Sequence, residues 1–288
     1  MPQAVSPWLV AGALTAAFLL LLIVETLRPL RRAREPKLRR LGRNLAVAGI
    51  AAATMELLQI PILLPVSRWA AAQDFGLLRM LPLHGTLRVV VAVVLLDYTL
   101  WFWHFANHRV PFLWRFHSVH HVDRDMDVST GIRFHFGELG LSVFFRAAQV
   151  ALIGADPPAV VLWQSLLFLS VLFHHSNTRL PPGLERALVR IVVTPRMHGI
   201  HHSNYRNETD SNWSSLLSAW DYLHRTALLN VPQDAVTIGI PAYDRPEAVR
   251  LGKILALPFV RREDDWRRED GKPAERPHPL ESRTQLEA

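Results

Sequence analysis

The chain has 288 residues, half of them hydrophobic and one in five charged, with a net charge of +7 and a mean hydropathy of +0.12. So high an apolar share excludes a disordered chain. The absence of cysteine excludes disulfides, thiolate zinc sites, iron–sulfur clusters and a cysteine nucleophile. A basic chain suits nucleic acid or an anionic membrane surface, and the placement of the arginines decides between them.

The first apolar run, Pro7 to Val24, is 18 residues without a charge. It is long enough for a spanning helix. Its basic cluster (Arg28, Arg31, Arg32, Arg34, Lys37, Arg39, Arg40, Arg43) follows the run, and no small-residue cleavage site is present, so a signal peptide fits poorly. The positive-inside rule puts this loop in the cytoplasm and the N-terminus outside. A second run, Leu45 to Val66, carries Glu56, Gln59, Pro61 and Pro65. A third, Thr86 to His104, is interrupted by Asp97 near Trp101 and Trp103. Leu139 to Ala155 and Pro158 to Phe173 then form a helical hairpin broken around Gly154, Asp156 and Pro157. Counting crossings puts residues 105–138 and everything after 174 on the cytoplasmic side. The fold expected is all-α: an integral membrane bundle of three to five spanning helices with a cytoplasmic, helical, histidine-rich di-metal domain. The boundaries are 1–87 for the N-terminal helices and basic loop, 88–230 for the catalytic domain, and 231–288 for a partly disordered tail. The charge therefore reads as topology and membrane attraction, and no nucleic-acid motif supports the other reading.

Histidine clustering is the sharpest signal. His104 and His108 stand at i and i+4, and on a helix they share a face. His117, His120 and His121 follow the pattern H-x-x-H-H, which His198, His201 and His202 repeat. One triplet is enough for one metal; two triplets and a pair are too many for one ion and about right for two. His174 or His175 adds one more. Imidazole ligands suit zinc, copper, iron or nickel. There is no H-E-x-x-H of zinc proteases and no set of Glu-x-x-His pairs. Two redox metals held by histidine at a membrane suit oxygen activation. A non-enzymatic haem- or metal-binding electron-transfer protein and a membrane zinc hydrolase are the alternatives.

Around the boxes stand Asp97-Tyr98, the run Pro111 to Phe116, the run Arg133 to Glu138, Phe173 to Asn177, Thr194 to His198, Glu208 to Trp213, and Trp220-Asp221. Across roughly residues 90–226 this order resembles the fatty acid hydroxylase/sterol desaturase superfamily. The resemblance implies an integral-membrane di-iron oxygenase that uses O2 and two electrons to hydroxylate or desaturate a lipid C–H bond. Carried over by position, the ligands to the two iron ions are His104, His108, His117, His120, His121, His175, His198, His201 and His202. His135 and His174 are ligands or support ligands, and Asp97, Glu138, Asp210 and Asp221 orient them or pair with surface arginines. The aromatic run Tyr98, Trp101, Phe102, Trp103 and Phe105 lines an apolar channel or forms an interfacial belt. With no dinucleotide fingerprint and no cysteine, electrons must come from a separate donor, which the arginine-rich cytoplasmic face suits.

Overall fold

The computed structural model describes residues 7–260, 264–268, 270–274 and 276. Among these residues the chain is helical, and its only β-pairing is in isolated bridges. The uncharged first run forms α1, Pro7–Leu27. Its apolar side chains, Leu19, Leu20 and Ile23 among them, are exposed, as lipid-facing residues should be. Glu25 closes this helix in a buried position, accepting the N–H groups of Val128 and Asn177 and pairing with Lys37 at 2.9 Å.

The second run is longer than its apolar stretch suggests. α2 (Lys37–Thr54) continues through a π turn, Met55–Gln59, into α3 (Ile60–Ala72). Pro61 and Pro65 lack the N–H that a regular helix needs, and the π turn adjusts the ladder just before them. The loop after α3 meets the turn between α6 (Phe136–Ile153) and α7 (Pro157–His175) at a glycine pair. A Cβ at Gly76 (φ 111°) would fall 2.4 Å from the Gly154 nitrogen, and Gly154 (φ 74°) caps α6 in the left-handed region.

α4 (Gly85–Arg109) carries the third run without a break into the first histidine box. Pro111 then starts α5 (Pro111–His121). α6 (Phe136–Ile153) and α7 (Pro157–His175) form the expected hairpin. Short helices α8 (Pro182–Leu188), α9 (Pro195–His201), α10 (Arg206–Thr209), α11 (Ala219–His224) and α12 (Leu251–Ala256) complete the chain. Among the described residues five helical segments are long and apolar enough to cross a membrane: Trp8–Leu27, Lys37–Arg79, Gly85–Arg109, Phe136–Ile153 and Pro157–His175. This is an integral membrane protein. Leu63, Leu96, Val150, Val160 and Trp163 form its membrane core.

Residues 231–260, placed by the sequence reading at the start of a tail, are packed. Ile240, Val249, Ile254 and Leu257 cluster with Val47, Val119 and Val122, and Val231, Val236 and Ile238 cluster with Met126 and Ile200. Their spacing is irregular, so neither helical nor strand periodicity announces them. Of the rest of the stretch expected as a partly disordered tail, residues 261–263, 269, 275 and 277–288 lie outside the described residues.

Candidate metal centre

The last turn of α4, all of α5, the end of α7 and α9 meet at one end of the membrane helices. They bring nine imidazoles into two groups. His104, His108, His117, His121 and His201 form one; His120, His175, His198 and His202 form the other. Within each group one nitrogen per ring lies within 4.8 Å of every other. The groups touch where His121 and His202 stack, with centroids 4.2 Å apart.

The split does not follow the boxes. Successive helical residues turn by about 100°, so i and i+4 diverge by only about 40° while i+3 falls about 60° to the other side. His117 and His121 therefore share a group, and His120 leans into the second. In α9 the same geometry pairs His198 with His202 and sends His201 into the first.

The hydrogen bonds fix which nitrogen faces inward. A carbonyl oxygen only accepts, so each ring bonded to one through Nδ1 carries its proton there. His104 Nδ1 donates to Trp213 O (2.7 Å), His201 Nδ1 to Ser211 O (2.7 Å), His175 Nδ1 to Val171 O (2.8 Å) and His120 Nδ1 to Arg133 O (3.3 Å). His117 Nδ1 meets Glu138 Oε1 at 2.8 Å. All five rings then turn a bare Nε2 to the centre. The His120 and His175 Nε2 atoms lie 2.9 Å apart with no proton to share, and His201 Nε2 is buried with no partner at all. Two lone pairs at this distance repel unless a cation lies between or beside them. Burial, reinforced by neighbouring imidazoles, holds His120, His121, His198 and His202 well below the usual histidine value and His201 down to about 3. His120, His121, His198, His201 and His202 are then neutral at physiological pH, as metal ligands must be. The donor set thus fits a pair of metal ions.

The remaining candidates divide. His174 lies outside both groups; its Nδ1 faces Ser170 Oγ at 3.5 Å and its ring packs against His198. His135 is the N-cap of α6, accepting from Gly137 N at 3.0 Å and donating to Leu255 O. Asp97 neither touches an imidazole nor pairs with an arginine. It accepts from Trp220 Nε1 (2.6 Å) and Leu217 N (3.1 Å), fixing the segment after the third box. Asp221 gathers Trp213 N, Ser214 N, Trp101 Nε1 and Thr226 Oγ1, and so holds the Trp213 carbonyl under His104. Asp210 pairs with Arg109 and Arg206 at the surface. In the aromatic run, Trp101 and Phe105 pack on Trp213, Trp103 stacks on Phe145, and Phe102 is exposed.

Part of the basic cluster has a role that the sequence reading did not give it. Arg40 is buried, with ion pairs to Asp123 and Asp127, and Arg43 bonds Glu35 and Asp123. With the fully buried Arg133 they surround Asp123, two residues past the second box, and hold its carboxyl well below the usual range against the cost of burial. The Arg31 guanidinium lies over Gly199 between His198 and His201, donating to Pro195 O and Gln233; a Cβ at Gly199 would fall 2.3 Å from it. These arginines lock α2 and the loop before it to the boxes. Charge alone did not separate Arg40 from surface arginines, because its acidic partners lie 83 and 87 positions away.

The fatty acid hydroxylase family model matches residues 89–226, the stretch that holds both groups. Over these residues the chain is similar to the fatty acid hydroxylase/sterol desaturase superfamily. Among superfamily relatives, ornithine lipid hydroxylase OlsE of Rhizobium tropici is 35% identical over 61% of this chain and 51% of its own length. A cholesterol 25-hydroxylase-like protein of Danio rerio is 31% identical over 49% of this chain and 57% of its own. Human alkylglycerol monooxygenase is 28% identical over 45% and 28%. The chain thus spans about half the length of the first two relatives. No solved structure matches it.

Proposed function

We propose that this chain is an O2-dependent oxidoreductase with two iron ions that hydroxylates a C–H bond of a lipid. The observation that carries the reading is the inward turn of unprotonated, buried Nε2 atoms in two adjoining groups. His104, His108, His117, His121 and His201 would hold one ion, and His120, His175, His198 and His202 the other. When bound, the pair would activate O2 for attack on an unactivated C–H bond. In the balanced reaction one oxygen atom enters the C–H bond as hydroxyl. The other leaves as water, taking two electrons and two protons.

The chain's own part is positioning and exclusion. Backbone carbonyls of Arg133, Val171, Ser211 and Trp213 and the Glu138 carboxylate fix ring orientation. Burial of the groups keeps bulk water from the reacting atoms. The names of the relatives, which speak of ornithine lipid, cholesterol and alkylglycerol, support a lipid substrate and favour hydroxylation over desaturation. The arginine-rich loop supports a cytoplasmic position for the boxes, where a separate electron donor would dock.

The test is lipid profiling under 18O2 of cells producing the wild type or His120→Ala, with metal analysis of the purified protein. The expected result is an 18O-labelled lipid only with the wild type, and two irons per chain. A haem absorbance band, or identical lipid profiles with iron and reductant supplied, overturns the reading.

A further inference from the structure

Arg146 lies inside a membrane span and forms no ion pair with any described residue. Arg146 stands ten residues into α6 and seven before its end, about 15 Å and 10 Å along the axis. Both distances leave it deep in a hydrocarbon core about 30 Å thick. A guanidinium there is costly and by rule has a partner or a function. Arg146 Nη1 donates to Gln59 Oε1 at 3.1 Å, and its guanidinium carbon lies 5.8 Å from the Trp163 ring centroid. Among the described residues no carboxylate bonds to it; its charged neighbour, Glu138, acts only at longer range.

Its surroundings are also unsatisfied. Arg146 Nε is buried without a partner. Gln149, one turn further along α6 and 5% exposed, bonds Leu96 O and Thr99 Oγ1 through Nε2 but leaves Oε1 unpaired. Trp163 Nε1, wholly buried, has no acceptor. Buried polar atoms are nearly always paired, so this concentration calls for a polar group that the chain does not supply. Two of these three atoms are donors and one of them belongs to a cation, which selects an anionic acceptor. Gln59 ends the π turn of the second span, and such turns recur at functional sites. The flanking Leu57, Ile60 and Phe144 are exposed on the lipid side, so a ligand reaches the position laterally from the bilayer.

We propose that Arg146 and Gln59 form an intramembrane site for the carboxylate of a single-chain lipid amphiphile. A guanidinium fork matches a carboxylate in two parallel hydrogen bonds, which an alcohol or ester cannot equal. The link to catalysis rests on the oxygenase reading above. Arg146 is eight residues, about 12 Å of helix, from Glu138, which holds His117. An amphiphile held by its head at Arg146 therefore offers the metal centre a carbon well along its chain, not the one beside the carboxylate.

The test is equilibrium binding of palmitic acid, its alcohol and its methyl ester to the full chain in nanodiscs of zwitterionic lipid. It needs no turnover, so its outcome is independent of whether the chain oxidises a lipid. The wild type should bind the acid about tenfold or more tighter than the alcohol or ester. Arg146→Gln should erase that preference, and Arg146→Lys should restore part of it. Equal affinity of the three probes for the wild type overturns the proposal, whatever the variants do. So does an acid preference that survives in Arg146→Gln. If Arg146→Gln does not fold, Gln59→Leu takes its place and should weaken binding of the acid alone; unchanged acid binding there counts against the site.

Discussion

Glu138 offers the most direct check on how the metal centre is held. The residue is 4% exposed and its Oε1 lies 2.8 Å from His117 Nδ1. Glu138→Ala removes the only acceptor that the structure gives that nitrogen and leaves it buried. Losing a hydrogen bond to a charged group costs about 1.5–3 kcal/mol, roughly 10- to 100-fold in an equilibrium constant. That agrees with the 10- to 100-fold usually lost when the outer partner of a metal-bound histidine is removed. His117 belongs to one group of five imidazoles, so the loss should fall on one metal per chain and spare the other. Glu138→Gln keeps an oxygen acceptor without the charge and should lose less. The assay is competition against a chelator, with metal per chain counted by elemental mass spectrometry. If Glu138→Ala held both metals as tightly as the wild type, the carboxylate would not be orienting a ligand and the reasoning would fail.

Three further outcomes follow from the same geometry. His175→Asn should release metal, whereas His174→Asn should keep two metals per chain, because only His175 directs a nitrogen into a group; metal analysis of both variants distinguishes them. Asp221→Ala strips the acceptor from four donors at once and should cost about 3 kcal/mol or more, seen as a fall in Tm of roughly 6–12 °C. Burial raises the Glu185 carboxyl above the ordinary glutamate value although Thr194 Oγ1 donates to it. The folded chain then holds this proton more tightly than the unfolded one, so stability falls as pH rises from the ordinary glutamate value through the raised one. Glu185→Gln should flatten that slope in thermal melts taken across the window, and an unaltered slope would exclude Glu185 as its source.

Some of this architecture was legible in the sequence because its signals are local. An uncharged run of 18 residues is a spanning helix on length alone, and the Gly154-Pro157 break marks the hairpin turn without reference to anything distant. What was not legible depends on contacts across the chain. Asp97 has the position of a ligand-orienting carboxylate but is taken by Trp220 and Leu217, about 120 residues away. Arg40 reads like its exposed neighbours in the basic loop, yet it is buried against Asp123 and Asp127. Residues 231–260 carry apolar side chains at irregular intervals, so only the packed structure shows that they cover α2, α5 and the third box.

The H-x-x-H-H pattern lies between these cases. Its spacing announces clustered imidazoles, and the simplest reading gives each triplet to one metal. Helical geometry contradicts that reading once two such helices face each other. The i and i+4 rings of one triplet point nearly the same way, and the i+3 ring swings toward the partner group. Two triplets arranged this way exchange their middle histidines: His120 joins His198 and His202, and His201 joins His117 and His121. Each group is then built from both helices, so neither can form until α5 and α9 have docked. The buried Asp123 cluster beside α5 and Arg31 over Gly199 of α9 brace that docking. Charges that mark the membrane surface in the sequence thus also serve, in the fold, to hold together the two helices from which both groups are built.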